Sequence, residues 1–454
     1  MHHAAAPARA AVSVPESRTL TSSALALSCL TATLCGCAAG QEMGRGVRTA
    51  DSLVAEWVEG GRIPGAVLLV SRGDEVVLAR AYGWRRVFDF SSGQYRAHAD
   101  APLPETPVEI LADPYPMTRD AVFDLASVTK VMATTYAVML LVDRHEIDLD
   151  APVRTYLPDF RGGGKESVTI RHLLTHRAGF SQWKPIYYHA EDADEAYAYV
   201  RDLPLEWPVG ESRHYSDLGF ILLGSVVERV TGTDLNTYLA DELYRPLGLR
   251  STGFRPTASL RDTTPTHFAA TSHGNPYEYR MVHDTAFGYR IPEDPTAWNG
   301  WRRHTLEGEV NDGNAFHALG GVAGHAGLFS SADDLHILVR LLLDGGVYGG
   351  RRYLTAGTVE TFLESTGDEQ ALGWLTPAYA PAGSFAHTGF TGTFVLGARS
   401  GDLAVVLLTN RQHAGLDADG YYPDVGPLQR AVARALLTCL PPGDTPDRRG
   451  VPPC

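Results

Sequence analysis

The alternation of apolar and polar positions predicts strands near both ends of the chain. Residues 65–83 form two apolar, β-branched runs around an Arg-Gly-Asp turn, which is the pattern of a hairpin. Strand patterns return at 392–398 and 403–409, on either side of a polar turn. A short helix is predicted at 52–59, and an amphipathic helix runs from about Pro427 to Leu440. These patterns predict one antiparallel sheet built from both ends of the domain.

Helical patterns fill the middle of the chain. The segment from Ala126 to Arg144 is apolar nearly all round, so it predicts a helix buried on most faces. Two further helices are predicted, from Leu218 to Val230 and from Ser331 to Leu343. Residues 87–118 are rich in Pro, Asp and Gly without a sustained period, and predict a long loop or an ordered excursion. The predicted fold class is α+β, a sheet flanked by helices with a mainly helical lobe inserted into it.

The predicted organisation is one large domain between a processed leader and a short tail. With 454 residues, 44% of them hydrophobic, the chain can fill a sizeable core. The sheet lobe is predicted to combine about 51–125 with 366–440, and the helical lobe to span about 126–365. The other predicted segments are a signal peptide at 1–36, a tether at 37–50, the whole domain at 51–440 and a Pro-rich tail at 441–454.

The first forty residues have the composition of an export signal. Arg9 and Arg18 precede an apolar stretch from Leu20 to Leu34, and small residues follow it. The stretch is too short to span a bilayer comfortably, and no later segment approaches about 18 unbroken apolar residues. A protein with several membrane spans is therefore excluded, and export to the periplasmic or cell-surface side is predicted.

The end of this leader resembles a bacterial lipobox. In Leu34-Cys-Gly-Cys37 the second thiol would be acylated and become the mature N-terminus, so Cys37 is the predicted lipid attachment site and membrane anchor. The alternative is ordinary cleavage near Ala38 or Ala39 without a lipid. In an oxidising compartment Cys439 and Cys454 can form a disulfide, and two free thiols are the alternative.

Charge limits the range of partners. The formal net charge of −14 would repel a phosphate backbone, and no basic run with interleaved aromatic residues offsets it. Nucleic acid is therefore not an expected partner, and nothing in the sequence points to an obligate protein partner or to a cofactor.

The strongest chemical pattern is Ser127-Val-Thr-Lys130 at the start of the buried helix. A serine hydroxyl needs a neighbouring base to take its proton, and a spacing of three residues brings both side chains to one helix face. Burial and the helix dipole are expected to lower the pKa of Lys130 towards the neutral amine that a base requires. Ser127 is the predicted nucleophile and Lys130 its predicted base.

Two observations separate this pattern from chance. A second copy, Ser181-Gln-Trp-Lys184, is followed by Pro185, which disfavours helical geometry at Lys184. The chain also has only three lysines, the third being Lys165, so arginine serves wherever charge alone is needed. Since arginine cannot deprotonate, a lysine at the start of a buried helix is better explained by proton transfer than by an ion pair.

Two later triplets add candidate groups. Tyr215-Ser-Asp217 lies where a turn-rich loop meets a helix, and its phenol could carry a proton between lysine and leaving group. His387-Thr-Gly389 begins the late strand pattern, where Gly389 would allow close approach of a substrate and backbone N–H groups could form half of an oxyanion hole. The pocket walls are predicted to come from 87–118 and 262–312.

The order of these three motifs resembles that of the serine β-lactamase and penicillin-binding-protein superfamily, in its class C, D-Ala-D-Ala carboxypeptidase and esterase branch. The resemblance runs from about Gly65 to Leu437 and includes the segments around Thr169 to Gly179 and Gly320 to Ser330. It implies an acyl-enzyme on Ser127, with a peptidoglycan stem peptide, a small ester or a β-lactam as substrate, in that order.

The resemblance also assigns roles to the motif residues. Tyr215 would shuttle protons, and the backbone N–H groups of Ser127 and Phe390 would form the oxyanion hole. His387 and Thr388 would face the carboxylate of the substrate.

The chain departs from the lactamase pattern at two positions. Asp217 replaces an asparagine, so an acceptor-only carboxylate stands where an amide could donate, and it would hold Lys130 more firmly charged. His387 replaces a lysine, which makes attraction of a carboxylate depend on pH. Both changes favour a serine hydrolase over an efficient β-lactamase, and leave open a penicillin-binding or sensor protein that does not turn over.

The remaining histidines offer weaker alternatives. His172 and His176 have the spacing of a metal pair, but no His-Glu-x-x-His frame accompanies them, so no metal is expected and a zinc hydrolase is the least favoured alternative. His325 is expected to pack under the sheet.

Overall fold

The computed structural model describes residues 44–90, 108–259, 267–289 and 291–438. The predicted signal peptide, Cys37, the Cys439 and Cys454 pair and the Pro-rich tail lie outside the described residues, and they stay predictions.

A mixed helix and sheet architecture fills the described residues. The strands are β1 (Gly65–Arg72), β2 (Glu75–Phe90), β3 (Val108–Pro116), β4 (Phe123–Asp124), β5 (Gly253–Phe254), β6 (Leu328–Ser330), β7 (Val347–Tyr348), β8 (Arg351–Arg352), β9 (Ser384–Thr388), β10 (Phe394–Ala398) and β11 (Leu403–Thr409). The α-helices are α1 (44–59), α2 (Tyr136–Asp143), α3 (Ile170–Leu174), α4 (Ala193–Asp202), α5 (Asp217–Thr231), α6 (Leu235–Leu239), α7 (Arg245–Leu247), α8 (Pro256–Ser259), α9 (Pro276–His283), α10 (Ala332–Leu343), α11 (Ala356–Leu363) and α12 (Gly426–Leu437).

The main sheet joins the two ends of the domain, as predicted. Its strand order is β3-β2-β1-β11-β10-β9, and every neighbouring pair is antiparallel. The central strands β1 and β11 are apolar and buried along most of their length, with Val67 opposite Leu408. The α+β fold class is therefore confirmed.

Both faces of this sheet are covered. Alternate residues of β1 belong to two separate cores, since Val67 and Leu69 pack with the helical lobe, while Leu68 and Val70 pack with α1 and α12. Burial on both faces explains why β1 and β11 read as continuous apolar runs instead of alternating ones.

Two of the predicted boundaries differ from the structure. The first helix already includes residue 44, earlier in the chain than the predicted start at 52. The segment 87–118 is not simply a loop, because β2 continues to Phe90 and pairs with β3. The strand was not predicted because β3 contains two prolines, which are unfavourable inside a sheet. They are tolerated here because β3 lies at the edge of the sheet.

The buried helix predicted after β4 is present in the structure, but its geometry is irregular. It begins with a 3₁₀ turn at Ala126–Val128, continues as a π-helical stretch at Lys130–Thr135, and becomes α2. The whole segment Ala126–Asp143 is apolar and long enough to cross a membrane, yet 83% of it is buried inside the domain. It is thus a core helix, as expected from its all-round hydrophobic pattern.

A small second sheet sets the position of this helix. Its order is β4-β6-β5, with Asp124 opposite Phe329. The N–H of Leu125 continues the pairing by donating to the carbonyl of Leu328 at 3.0 Å. The chain therefore enters the helix from a fixed strand edge.

Candidate active site

The turn that carries Ser127 is held under backbone strain. Ala126 has a φ of 45°, in the left-handed region that residues with a Cβ rarely adopt. The buried carboxylate of Asp124 stabilises it by accepting the Ala126 N–H at 2.9 Å. Burial raises the pKa of Asp124 to about 6. The turn places the partly exposed Ser127 at the pocket surface.

Lys130 lies directly beneath the Ser127 hydroxyl. Its Nζ donates to Ser127 Oγ at 2.9 Å and to the backbone carbonyl of His325 at 3.2 Å. Nζ also forms an ion pair with Asp217 Oδ1 at 2.7 Å, and the Lys130 side chain has no exposed surface. The serine and lysine that the sequence singled out are therefore brought together.

The charge state of Lys130 differs from the first expectation. Burial does lower its pKa, but the charge of Asp217 and hydrogen bonding to Asp217 and Tyr215 outweigh burial and raise the pKa to about 12. The expectation of a neutral amine from burial and the helix dipole is wrong for the resting protein. The expectation that Asp217 holds the lysine charged is the one that the structure supports.

Tyr215 and Asp217 are positioned by a buried histidine. His176 has a φ of 57° and its Nδ1 accepts the N–H of Ser216 at 3.1 Å. Its ring packs against the Tyr215 ring with the centroids 4.4 Å apart. Burial, reinforced by the charge of Lys130, lowers the pKa of His176 well below its ordinary value, so the ring is a neutral support.

The loop between β9 and β10 contacts the serine turn from the other side. Thr391 and Thr393 donate their hydroxyls to the carbonyls of Asp124 and Leu125 at 2.7 and 2.9 Å. A Cβ added to Gly389 would lie 2.3 Å from the Leu125 oxygen. Gly389 is thus required for packing against the serine turn.

His387 and Thr388 do not both face the pocket, contrary to expectation. Successive side chains of a strand point to opposite faces, so Thr388 borders a separate surface hollow with Ala386. His387 is buried beside Lys130, and burial with the lysine charge lowers its pKa to about 3. A neutral imidazole there offers little attraction for a carboxylate.

Two backbone donors remain free near Ser127. Among the described residues, neither the N–H of Ser127 nor that of Phe390 donates to another group. Phe390 is fixed by its carbonyl, which accepts Nε–H of Arg411 at 2.8 Å, and by its ring, 4.9 Å from Tyr277. A pair of free N–H groups beside a nucleophile is what an oxyanion hole needs.

These groups surround one pocket of about 170 Å³. The polar residues that line it are Ser127, Gln182, Tyr215, Asp217, Glu278, Asn311, Asp312 and His325. Its aromatic walls are Trp183, Tyr277, Tyr289 and Phe390. The predicted range 262–312 supplies much of the lining, whereas none of the described lining residues comes from 87–118.

The sequence did not reveal the acidic side of this pocket. His325 does not pack under the sheet as expected, but lines the pocket with Nε2 3.0 Å from Asp312 Oδ1. Burial opposes ionisation of Asp312, yet the His325 contact outweighs it and keeps the Asp312 pKa low. Burial and the charge of Asp312 raise the pKa of Glu278 to about 8. The only sequence signal was a lone histidine in a glycine-rich segment.

The other singled-out residues have structural roles. His172 closes the capping box of α3 with Thr169. Lys184 forms an ion pair with Glu206 at 3.3 Å, so the second Ser-x-x-Lys copy does not form a catalytic pair. Within the described parts of the chain, no group of three His, Cys, Asp or Glu side chains is arranged to hold a metal ion.

Known proteins are similar in sequence to this chain along most of its length. Residues 50–424 match the family model described as Beta-lactamase. The chain is 31% identical over 392 residues to the N-acetylmuramyl-L-alanine amidase of Bacillus subtilis (strain 168), with 81% of each chain covered. It is 30% identical over 402 residues to a Salmonella agona (strain SL483) protein named "Putative D-alanyl-D-alanine carboxypeptidase", covering 83% of this chain and 85% of that one.

A solved structure agrees on the fold. A penicillin-binding protein homologue from Caulobacter crescentus superposes with a TM-score of 0.61 at 19% identity, over 88% of this chain and 98% of that one. The resemblance inferred from the three motifs is confirmed, since the family model spans all of them. The chain belongs to the beta-lactamase family of hydrolases.

Proposed function

We propose that the protein is a serine hydrolase that transfers an acyl group through Ser127 and cleaves amides or esters of the peptidoglycan type. The observation that carries the proposal is the buried Lys130 Nζ, 2.9 Å from the Ser127 hydroxyl beneath an open pocket. Such a pair is costly to bury and is found where proton transfer is needed.

The reaction would proceed in two steps. Ser127 Oγ attacks the acyl carbon, the bond to the leaving nitrogen or oxygen breaks, and the serine proton passes to that atom. Water then attacks the ester, gives one proton back to Ser127 Oγ, and releases the acid. The N–H groups of Ser127 and Phe390 would hold the oxyanion in both steps.

Lys130 and Tyr215 would act together as the proton relay. The pKa of Lys130 is raised to about 12, so the lysine alone is protonated at neutral pH. Lys130 Nζ lies 5.0 Å from the centre of the Tyr215 ring, so the phenol is placed to pass the serine proton onwards. The pair is thus the base, and Asp217 sets how easily it loses a proton.

The substrate class rests on the relatives. Their names include a D-alanyl-D-alanine carboxypeptidase and an N-acetylmuramyl-L-alanine amidase, and both bonds are amides of the cell wall. We propose D-Ala peptides first and small esters next, with weak β-lactamase activity as an alternative. The amidase relative adds a second candidate, cleavage of a muramyl-alanine amide.

The test is a substrate panel on the wild type and Ser127→Ala. It contains acyl-D-Ala-D-Ala, a muramyl-alanine peptide, p-nitrophenyl esters and a chromogenic lactam. We expect turnover of at least one amide or ester by the wild type and a loss of at least about 10³-fold in Ser127→Ala. Equal turnover by both proteins, or activity that a chelator removes, would reject the proposal.

A non-catalytic sensor is the alternative from another class. It would form an acyl-enzyme that never hydrolyses, because Asp217 holds Lys130 charged. Pre-steady-state kinetics separate the two, since a sensor gives one burst of product per protein and the proposed enzyme continues beyond it.

We also propose that the protein is exported and held at a membrane by a lipid on Cys37, on the periplasmic or cell-surface side. The support is the apolar stretch from Leu20 to Leu34 and the lipobox-like sequence after it.

A further inference from the structure

The ionisable side chains that line the pocket beside Ser127 are mainly acidic. Lining residues Glu278, Asp312 and Asp217 carry carboxyl groups, and no lysine or arginine is among the described residues that line the pocket. Lys130 lies beneath it and is already paired with Asp217 at 2.7 Å. A ligand that enters therefore meets acidic groups that a buried cation offsets only in part.

His325 adds a polar atom without a partner to the wall of this pocket. Only 1% of its side chain is exposed, and Nε2 is 3.0 Å from Asp312 Oδ1. Nδ1 is buried and has no hydrogen-bond partner among the described residues. A buried, unsatisfied ring nitrogen at the wall of a pocket favours a ligand with a polar group that can pair with it.

The neighbouring cation, Arg302, does not neutralise the acidic lining of the pocket. Arg302 lies close enough to influence Glu278, but its guanidinium donates to Glu309, Asn275 and the Val310 carbonyl at 2.5 to 2.9 Å. Glu278 is held in place by Oε1, which accepts the N–H of Gly313 at 2.7 Å. The carboxyl of Glu278 is therefore fixed at the pocket, and no described residue forms a salt bridge with it.

We propose that this pocket prefers substrates with a neutral amide or a primary amine next to the scissile bond over those with a free carboxylate there, and that Glu278 is the residue that sets this preference. The inference rests on the proposed acyl transfer through Ser127. It distinguishes cleavage within a peptide or muramyl chain from carboxypeptidase action, which requires a terminal carboxylate.

The protonation state of Glu278 should make the selectivity depend on pH. Burial and the charge of Asp312 raise the Glu278 pKa to about 8, so its carboxyl is mostly neutral at pH 7 and ionised at pH 9. Other titratable groups that act on it are Asp217 and, with opposite sign, Arg302. The preference against a substrate with a free carboxylate should increase between pH 7 and pH 9. It should not increase in a variant with an uncharged residue at position 278.

The experiment compares two peptides that differ only in charge, acyl-D-Ala-D-Ala and its C-terminal amide, acyl-D-Ala-D-alaninamide. For the wild type we expect the amide to have the higher kcat/KM at pH 7, and its advantage to grow by about tenfold at pH 9. In Glu278→Gln, which keeps an oxygen for the Gly313 N–H, the advantage should be the same at both values. The exposed Glu364→Gln serves as the control and should behave as the wild type.

The outcomes separate this inference from the proposed function. A higher kcat/KM for the carboxylate peptide, or a pH-dependent ratio that persists in Glu278→Gln, overturns the inference while leaving acyl transfer intact. Failure of the wild type to form an adduct with a fluorophosphonate would instead overturn the proposed function. If Glu278→Gln does not fold, the wild-type ratio at the two pH values decides, because a constant ratio contradicts the inference.

Discussion

Replacing Asp217 by asparagine should release Lys130 from its charged state. The carboxylate lies 2.7 Å from Nζ, and it is the main reason that the pKa of Lys130 rises to about 12 despite complete burial. Without that charge, burial should bring the Lys130 pKa below its ordinary value of 10.5. The fall is at least about 1.5 pH units, or about 2 kcal/mol in favour of the neutral amine.

The consequence is a change in the pH dependence of acylation. At pH 8 the deprotonated fraction of Lys130 should increase by roughly 30-fold in Asp217→Asn, since each pH unit changes it tenfold. The rate of acylation by a fluorophosphonate should rise accordingly. The rising limb of its pH–rate profile should move to lower pH. Asp368→Asn is the control, because it removes a carboxylate that pairs with Arg177 and not with Lys130. An unchanged limb, or a limb displaced to higher pH, would refute the reasoning, provided that thermal melting shows both variants folded.

Three other variants test separate parts of the structure. Tyr215→Phe should lower kcat by about 10²-fold or more with little change in KM, and an unchanged kcat would exclude the tyrosine from proton transfer. Gly389→Ala should destabilise the fold by about 1 to 3 kcal/mol in a denaturant titration, because the new methyl group meets the Leu125 carbonyl, whereas Gly357→Ala, which has nothing within 4 Å, should not. Cys37→Ser should move the protein from the membrane fraction to the soluble fraction, and continued membrane retention would contradict the proposed lipid anchor.

The sequence was sufficient for features that depend on local patterns. Ser127 and Lys130 are three residues apart in one helix, so their contact could be predicted from helical geometry. The apolar strands at both ends of the domain were likewise enough to predict that β1 and β11 share a sheet. In each case the pattern lies within a short stretch of chain and has a known period.

Features that depend on tertiary contacts could not be predicted. Asp124, Glu278, Asp312 and His325 come from segments up to about two hundred residues apart, and no spacing links them. The protonation state of Lys130 was predicted wrongly for a related reason. Burial and the charge of Asp217 change its pKa in opposite directions, and the distance between Nζ and the carboxylate decides which effect is larger. By contrast, the sequence was enough to show that His387 and Thr388 cannot both face the pocket, because successive side chains of a strand point to opposite faces.

The most direct measurement is the intact-protein mass after exposure to a fluorophosphonate, followed by peptide mapping. The wild type should gain one adduct, located on the peptide that contains Ser127, and Ser127→Ala should gain none. Lys130→Arg should also fail to react at a measurable rate, because arginine keeps its charge and cannot take part in the relay. An unmodified wild type, or an adduct that persists in Ser127→Ala, would contradict the assignment of Ser127 as the nucleophile.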